Sequence, residues 1–266
     1  MSLITRLFAF ATVFALCSLP VHAEVRYYTE GHADLGLGDE DALELHFHAH
    51  GGAIVDGVPV DDAGLELSPS EVVIVVPEST KNYARDVLGG AQGSIPAALG
   101  LPQGADYWFL PESNDSTGGG AAALHSPFFG LGAEDVSSGV FDGDIDGIVI
   151  NPDGIINLSL ISKEGPGHVA VGTSSHGWYM STADGISPDQ DKIEAIFVGT
   201  HSHLAWYFSQ PGTYQLTFQA SAAIAGETVT NQNTYTFQVV PEPSVLVLLA
   251  LAAVPAIVFA VRRHKG

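Results

Sequence analysis

The sequence predicts an all-β protein, an antiparallel β-sandwich of Ig-like or jelly-roll-like kind, carried between a signal peptide and a C-terminal membrane-spanning sorting helix. Three observations point there. Short runs of β-branched and aromatic residues recur between turn residues, helical periodicity is scarce, and the 30 glycines and 15 prolines are spread along the chain rather than clustered. Many tight turns between short strands need that distribution.

Residues 1–23 open with Met1 and Arg6, run apolar from Leu7 to Leu19, and close on the small-residue pattern Val21-His22-Ala23. This is the layout of a secretory signal peptide, with Glu24 as the mature N-terminus. Cys17, the single cysteine, falls inside it behind the bulky Leu16, which does not suit lipidation. The mature chain therefore has neither disulfides nor thiolate ligands, and a metal would be held by nitrogen and oxygen.

Residues 24–240 suffice for one large or two small domains with a real core. Strand-like runs follow in order. Residues 43–49 alternate apolar and polar; 72–76 is a β-branched run stopped by Pro77; 147–150, 155–162, 193–198, 214–220 and 234–240 are further short runs between Gly, Pro, Asn and Asp. A turn or two of helix fits around 81–88. The loop 114–120, Asn-Asp-Ser-Thr-Gly-Gly-Gly, is the candidate junction if the ectodomain divides into two subdomains. The tail, residues 241–266, has an apolar run from Val245 to Val261 ending at Arg262-Arg263-His264-Lys265. That is a stop-transfer pattern, short for the roughly 20 residues of a bilayer span.

The formal net charge is −21, and the basic residues of 24–240 are Arg26, Lys81, Arg85, Lys163 and Lys192. Such a balance excludes nucleic acid and anionic lipid as partners and concentrates cations near the surface. It serves equally as a solubility device.

Against that background the histidines are patterned. In Glu44-Leu45-His46-Phe47-His48-Ala49-His50 and in His201-Ser202-His203 every second residue is histidine, the spacing by which a strand puts imidazoles on one face. Glu44, His46, His48 and His50 face one way while Leu45, Phe47 and Ala49 can bury. Same-face neighbours are roughly 6.6 Å apart, a gap two imidazoles close around an ion at about 2.0–2.1 Å from each nitrogen. Three from one strand do not converge easily, so two plus ligands from elsewhere are expected. His32 and Asp34 share a side in Gly31-His32-Ala33-Asp34. The metal candidates are thus His32, Asp34, His46, His48, His50, His201 and His203, with zinc the best match to neutral imidazole and copper or nickel compatible.

A separate acidic segment runs from Asp142 to Asp153. Asp142, Asp144 and Asp146 occupy loop positions 1, 3 and 5 of a calcium-type loop, Gly147 position 6 and Asp153 position 12. Aspartate at the last position is one methylene short of the usual glutamate, and an acidic turn between strands is the alternative. His125, His168 and His176 stand among turn residues. No Gly-x-Ser-x-Gly elbow and no His-Glu-x-x-His occur, so an enzyme is not expected.

Two resemblances add to this reading. Pro241-Glu242-Pro243, the short apolar run and the Arg-rich tip resemble the PEP-CTERM sorting signal of bacteria. That implies processing by signal peptidase and an exosortase, passage through the membrane by the C-terminal helix, and delivery to the cell surface, outer envelope or extracellular matrix. Gly31-His32-Ala33-Asp34, residues 71–77, Tyr107-Trp108-Phe109-Leu110-Pro111, residues 126–134, Gly165-Pro166-Gly167, residues 201–206 and Pro211-Gly212-Thr213-Tyr214 resemble, in order, the choice-of-anchor M surface domain and its Zur-repressed PEP-CTERM relatives. The resemblance implies an exported protein that captures zinc under zinc limitation, linked with a metal-uptake transporter. His32, Asp34, His201 and His203 match its motifs; His46, His48 and His50 rest on spacing. The alternatives are a structural surface or matrix protein with an acidic calcium-binding loop, and a zinc-dependent hydrolase.

Overall fold

The computed structural model describes residues 24–40, 42–82 and 95–241. The expected signal peptide, the sorting segment from Glu242 onward and most of the helical turn at 81–88 lie outside them. Among the described residues no helix is long and apolar enough to cross a membrane.

The strands are β1 (Arg26–Gly38), β2 (Glu44–Ala49), β3 (Ile54–Val55), β4 (Val58–Pro59), β5 (Leu65–Leu67), β6 (Val72–Val76), β7 (Trp108–Leu110), β8 (Pro127–Asp135), β9 (Asp144–Ile145), β10 (Ile148–Val149), β11 (Ile155–Glu164), β12 (Val169–Thr173), β13 (Gly177–Ser181), β14 (Lys192–Phe197), β15 (His201–His203), β16 (Ala205–Phe208), β17 (Gly212–Ile224) and β18 (Glu227–Val239). Among the described residues helix is confined to single turns such as Ile95–Ala98 and Ala121–Leu124. The protein is all-β, as its turn-punctuated strand pattern requires.

β1 joins the two large layers. Its first residues pair with β6, in a sheet ordered β14-β11-β17-β18-β6-β1. After a register shift between Tyr28 and Glu30 its second half pairs with β2 on one side and β8 on the other, giving the layer β5-β2-β1-β8-β15. Gly31 sits at this crossing with φ +87°, and a Cβ there would lie 2.7 Å from the Cα of Ala53. Only glycine passes. The ladders β1/β2, β11/β17 and β17/β18 are antiparallel, whereas β1/β6, β1/β8 and β6/β18 are parallel. Parallel neighbours come from distant parts of the chain, because a tight hairpin cannot connect them. β13-β12-β16-β7 forms a further four-stranded sheet.

The two layers meet over aromatic side chains. Phe47 of β2 stacks at 6.2 Å on Phe129 of β8, which meets Phe237 of β18 edge-on at 5.8 Å; Trp206 lies 5.3 Å from Phe237. All are at most 1% exposed, each worth about 1.5–3 kcal/mol of burial. The Trp206 indole N–H donates to the carbonyl of Phe129 at 2.8 Å, so the ring buries without orphaning its donor. Leu110 and Phe129, on either side of the loop 114–120, belong to this same core.

Burying Ala33, Leu35 and Leu37 of β1, Leu45, Phe47 and Ala49 of β2, and Phe129, Leu131 and Ala133 of β8 fixes the other face. By strand alternation that face carries His32, Asp34, Gly36 and Gly38 on β1, Glu44, His46 and His48 on β2, and Phe128, Gly130 and Gly132 on β8.

Candidate metal centre

Register brings the histidines together. In the β1/β2 ladder Asp34 stands opposite His48 and Gly36 opposite His46, while the His50 N–H donates to the His32 carbonyl at 3.0 Å. In the β8/β15 ladder His203 stands opposite Gly130 and His201 opposite Gly132. Imidazoles thus arrive from β1, from β2 and the residue after it, and from β15.

Glycine decides how close they come. Neighbouring strands are about 4.8 Å apart, so side chains two strands away meet only if the strand between presents none. Over Gly130 the Asp34 carboxylate and His203 converge: a Cβ there would be 2.4 Å from Asp34 Oδ1 and 3.5 Å from His203 Cδ2. Over Gly36 and Gly38 residues of β2 reach β8; a Cβ on Gly36 would lie 2.3 Å from His46 Nε2, and one on Gly38 2.5 Å from Glu44 Oε1.

Among the described residues three groups have ligand atoms all within 4.8 Å of one another: His32 with His201 and His203; His32 with Asp34 and His50; and His46 with His48 and Asp135. The first two share His32 and form one centre. Its rings are tightly packed, His32 lying 4.1 Å from His50, 5.1 Å from His203 and 5.6 Å from His201 between centroids. His203 also rests on Phe128 at 4.1 Å, which walls the centre on one side. His50 Nε2 bonds Asp34 Oδ2 at 2.8 Å, and His201 Nδ1 bonds Glu134 Oε1 at 2.6 Å.

The polar accounting is incomplete at this centre. Buried side-chain atoms without a hydrogen-bond partner include His32 Nε2, Asp34 Oδ1 and His203 Nε2, and His32 Nε2 stands 3.5 Å from Asp34 Oδ1. Buried polar atoms are normally paired, and an orphan costs about 1–3 kcal/mol. Orphans of this kind, two nitrogens and a carboxylate oxygen, are atoms that could hold a metal ion.

The electrostatics agree. Burial alone raises the Asp34 carboxyl, but the close His32 ring, the hydrogen bond to His50 and the charge of the two rings outweigh it and bring the group down to about 2. His50 is raised, first by its bond to Asp34 and against the effect of burial. His203 is lowered, by burial and then by neighbouring His32 and His201. The carboxylate stays ionised and His203 sheds its proton readily, both of which a cation needs.

The sequence-derived candidates separate. His32, Asp34, His50, His201 and His203 gather in one centre, while His46 and His48 turn to Asp135. Spacing alone had not singled out Glu134 and Asp135. Between Gly36 and Gly38 of β1 the partner strand advances from Gly132 to Asp135, one residue too many. Alternation already puts Glu134 on the histidine side, toward His201, and the β-bulge adds Asp135 beside it, toward His46 and His48. The signal was the Gly-x-Gly-x-Glu-Asp run, in which glycines alternate before the acids.

The acidic segment is arranged differently. Residues 144–149 form the hairpin β9-β10, turning at Asp146 and Gly147 with φ +54° and +80°, the Asp-Gly pair that a two-residue turn selects. Asp142 accepts from the N–H groups of Ala225 and Gly226, Asp144 from that of Gly147, and Asp153 from the Ser138 hydroxyl. The structure does not bring Asp142, Asp144, Asp146 and Asp153 together as one set of ligands. His125 contacts Glu30, His168 the Thr182 carbonyl, and His176 stacks on Tyr179.

No protein-family model matches the chain, and a comparison with curated proteins finds no match.

Proposed function

We propose that this is an exported, surface-held protein that captures zinc, with His32, His201 and His203 as nitrogen ligands and Asp34 as the oxygen ligand. The observations that carry the reading are that His32, His201 and His203 bring ligand atoms within 4.8 Å of one another, and that His32 Nε2, Asp34 Oδ1 and His203 Nε2 are buried atoms without partners. Three imidazoles and a carboxylate make a closed four-ligand set of the kind zinc takes where it is bound rather than used. Glu134 on the Nδ1 of His201 and His50 on the second oxygen of Asp34 act as outer partners that hold ligands in orientation.

Zinc capture agrees with the signal peptide and PEP-CTERM-like tail of the sequence, with export through signal peptidase and an exosortase to a bacterial surface or matrix, and with a metal-uptake transporter as recipient. No catalytic step is assigned to the centre. The net charge of −21 draws cations to the surface on the way.

Zinc titration of the full chain against its His201→Ala/His203→Ala variant tests the reading. The variant loses the zinc held at this centre while its far-UV spectrum keeps its β character. Unchanged stoichiometry and affinity in the variant, or calcium held more tightly than zinc by the wild type at neutral pH, overturns it.

A further inference from the structure

We infer that the chain holds a second cation site, separate from the first, built from His46, His48 and Asp135. It shares no ligand with the centre at His32, so it stands or falls independently of the function proposed above.

One carboxylate oxygen serves two imidazoles here: Asp135 Oδ2 lies 2.8 Å from His48 Nδ1 and 3.3 Å from His46 Nε2. A divalent cation among the three replaces both contacts at once, and two nitrogens with one oxygen is a donor set that zinc-type ions accept with a further position open.

His46 supplies the independent observation. It is only 8% exposed, and its Nδ1 is buried without a hydrogen-bond partner. Glu44 Oε1 stands 3.6 Å from it, on the side of the ring away from Asp135. An imidazole bound to metal through Nε2 carries its proton on Nδ1 and directs it at a carboxylate; the His46–Glu44 pair has that layout. Gly36 and Gly38 keep the space over β1 clear for both side chains, since a Cβ at either would overlap them.

A cavity of about 450 Å³ adjoins the site at His46; Glu40, Glu44, Glu66 and Glu71 are among its lining, and among the described residues no lysine or arginine borders it. An acid-walled recess raises the local concentration of cations beside His46. Beyond His48 the His50 ring is 4.6 Å away, so the two sites adjoin along one strand face.

The test counts zinc ions bound to the full chain in competition with a chromophoric chelator. The wild type takes up two equivalents. Asp135→Asn and, separately, His48→Gln each remove one and leave the affinity of the other within about twofold. His201→Gln/His203→Gln removes the other equivalent instead. Should the His48 variant fail to fold, Asp135→Asn still reads the site, because that side chain is 38% exposed and the change keeps its shape. A wild type that binds one equivalent, or an Asp135→Asn protein that keeps two, overturns the second site. Loss of one equivalent in Asp135→Asn with none lost in His201→Gln/His203→Gln leaves the second site standing and removes the first.

Discussion

The imidazole of His50 lies flat on that of His32, centroids 4.1 Å apart and planes within 8°. Asp34 spans the stack, one carboxylate oxygen toward each ring, at 2.8 Å from His50 Nε2 and 3.5 Å from His32 Nε2. Two stacked imidazolium ions repel, and the carboxylate between them offsets positive charge on His50, to which it is bonded. A cation in the centre takes over that charge balance. The stack therefore links the proton state of His50 to the ligand that Asp34 offers.

Glu134 tests whether outer contacts tune the centre. Its carboxylate holds Nδ1 of His201 at 2.6 Å, and removing such a partner lowers metal affinity about 10–100-fold. Glu134→Gln should weaken zinc by that factor while leaving the unfolding midpoint of the metal-free protein in place. An affinity equal to wild type in a zinc titration removes Glu134 from the centre.

Gly130 tests the idea that glycine makes room for the ligands. Alanine there places a methyl 2.4 Å from Asp34 Oδ1 and 2.7 Å from the Ser202 carbonyl, and the second contact is backbone that cannot swing aside. Gly130→Ala should cost about 1–3 kcal/mol in denaturant unfolding and weaken zinc as Asp34 is displaced. Unaltered stability and zinc affinity would show that the strand is looser than its packing indicates.

These glycines also explain what the sequence concealed. The run 72–76 matches β6 residue for residue, and 43–49 and 155–162 overlie β2 and β11, because apolar alternation or β-branching marks them. β1 and β8, which form the floor of the centre, carry Gly31, Gly36, Gly38, Gly130 and Gly132, and glycine reads as punctuation. It is used here for space, a demand set by strands far apart in sequence. His32, His201 and His203 were legible from spacing and motif. Which of His46, His48 and His50 joined them was not, since that depends on the β1/β2 register. Asp135 depends on a bulge that breaks the two-residue period.

Asp142 separates the hairpin from a calcium site. Its carboxylate accepts from the N–H groups of Ala225 and Gly226, an exposed cap worth about 1 kcal/mol. Asp142→Ala should lose that much in chemical denaturation, keep full zinc affinity, and show the same response of its unfolding midpoint to calcium as wild type. A calcium response that disappears in the variant makes the segment a calcium loop.

The Asp34–His50 pair makes metal-free stability depend on pH. His50 is raised by the pair, so its contribution is complete below its unfolded value of about 6.5 and is lost as pH rises through the folded value. Asp34, held at about 2, contributes above its unfolded value near about 3.9 and loses that contribution as pH falls toward about 2. Asp34→Asn should therefore cost more stability at about pH 5.5 than at about pH 8. Equal losses at the two pH values, measured by denaturant unfolding without metal, would show that the pair is not charged in the folded protein.

Zinc reverses that preference. Each ligating imidazole must be neutral, so protons compete with the ion, while Asp34 remains ionised across the whole range and contributes no pH dependence above about pH 4. Burial and the neighbouring rings lower His203, so it yields its proton before an ordinary histidine does. His32 and His201 join it as nitrogen ligands, and more than one proton is then displaced per ion. Affinity measured at about pH 7.5, 6.5 and 5.5 should accordingly fall by more than tenfold per unit below about 6.5. A site made of carboxylates would hold its affinity down to roughly pH 5, because those groups protonate near about 4. A flat profile over this range would transfer the metal from the histidines to the acids.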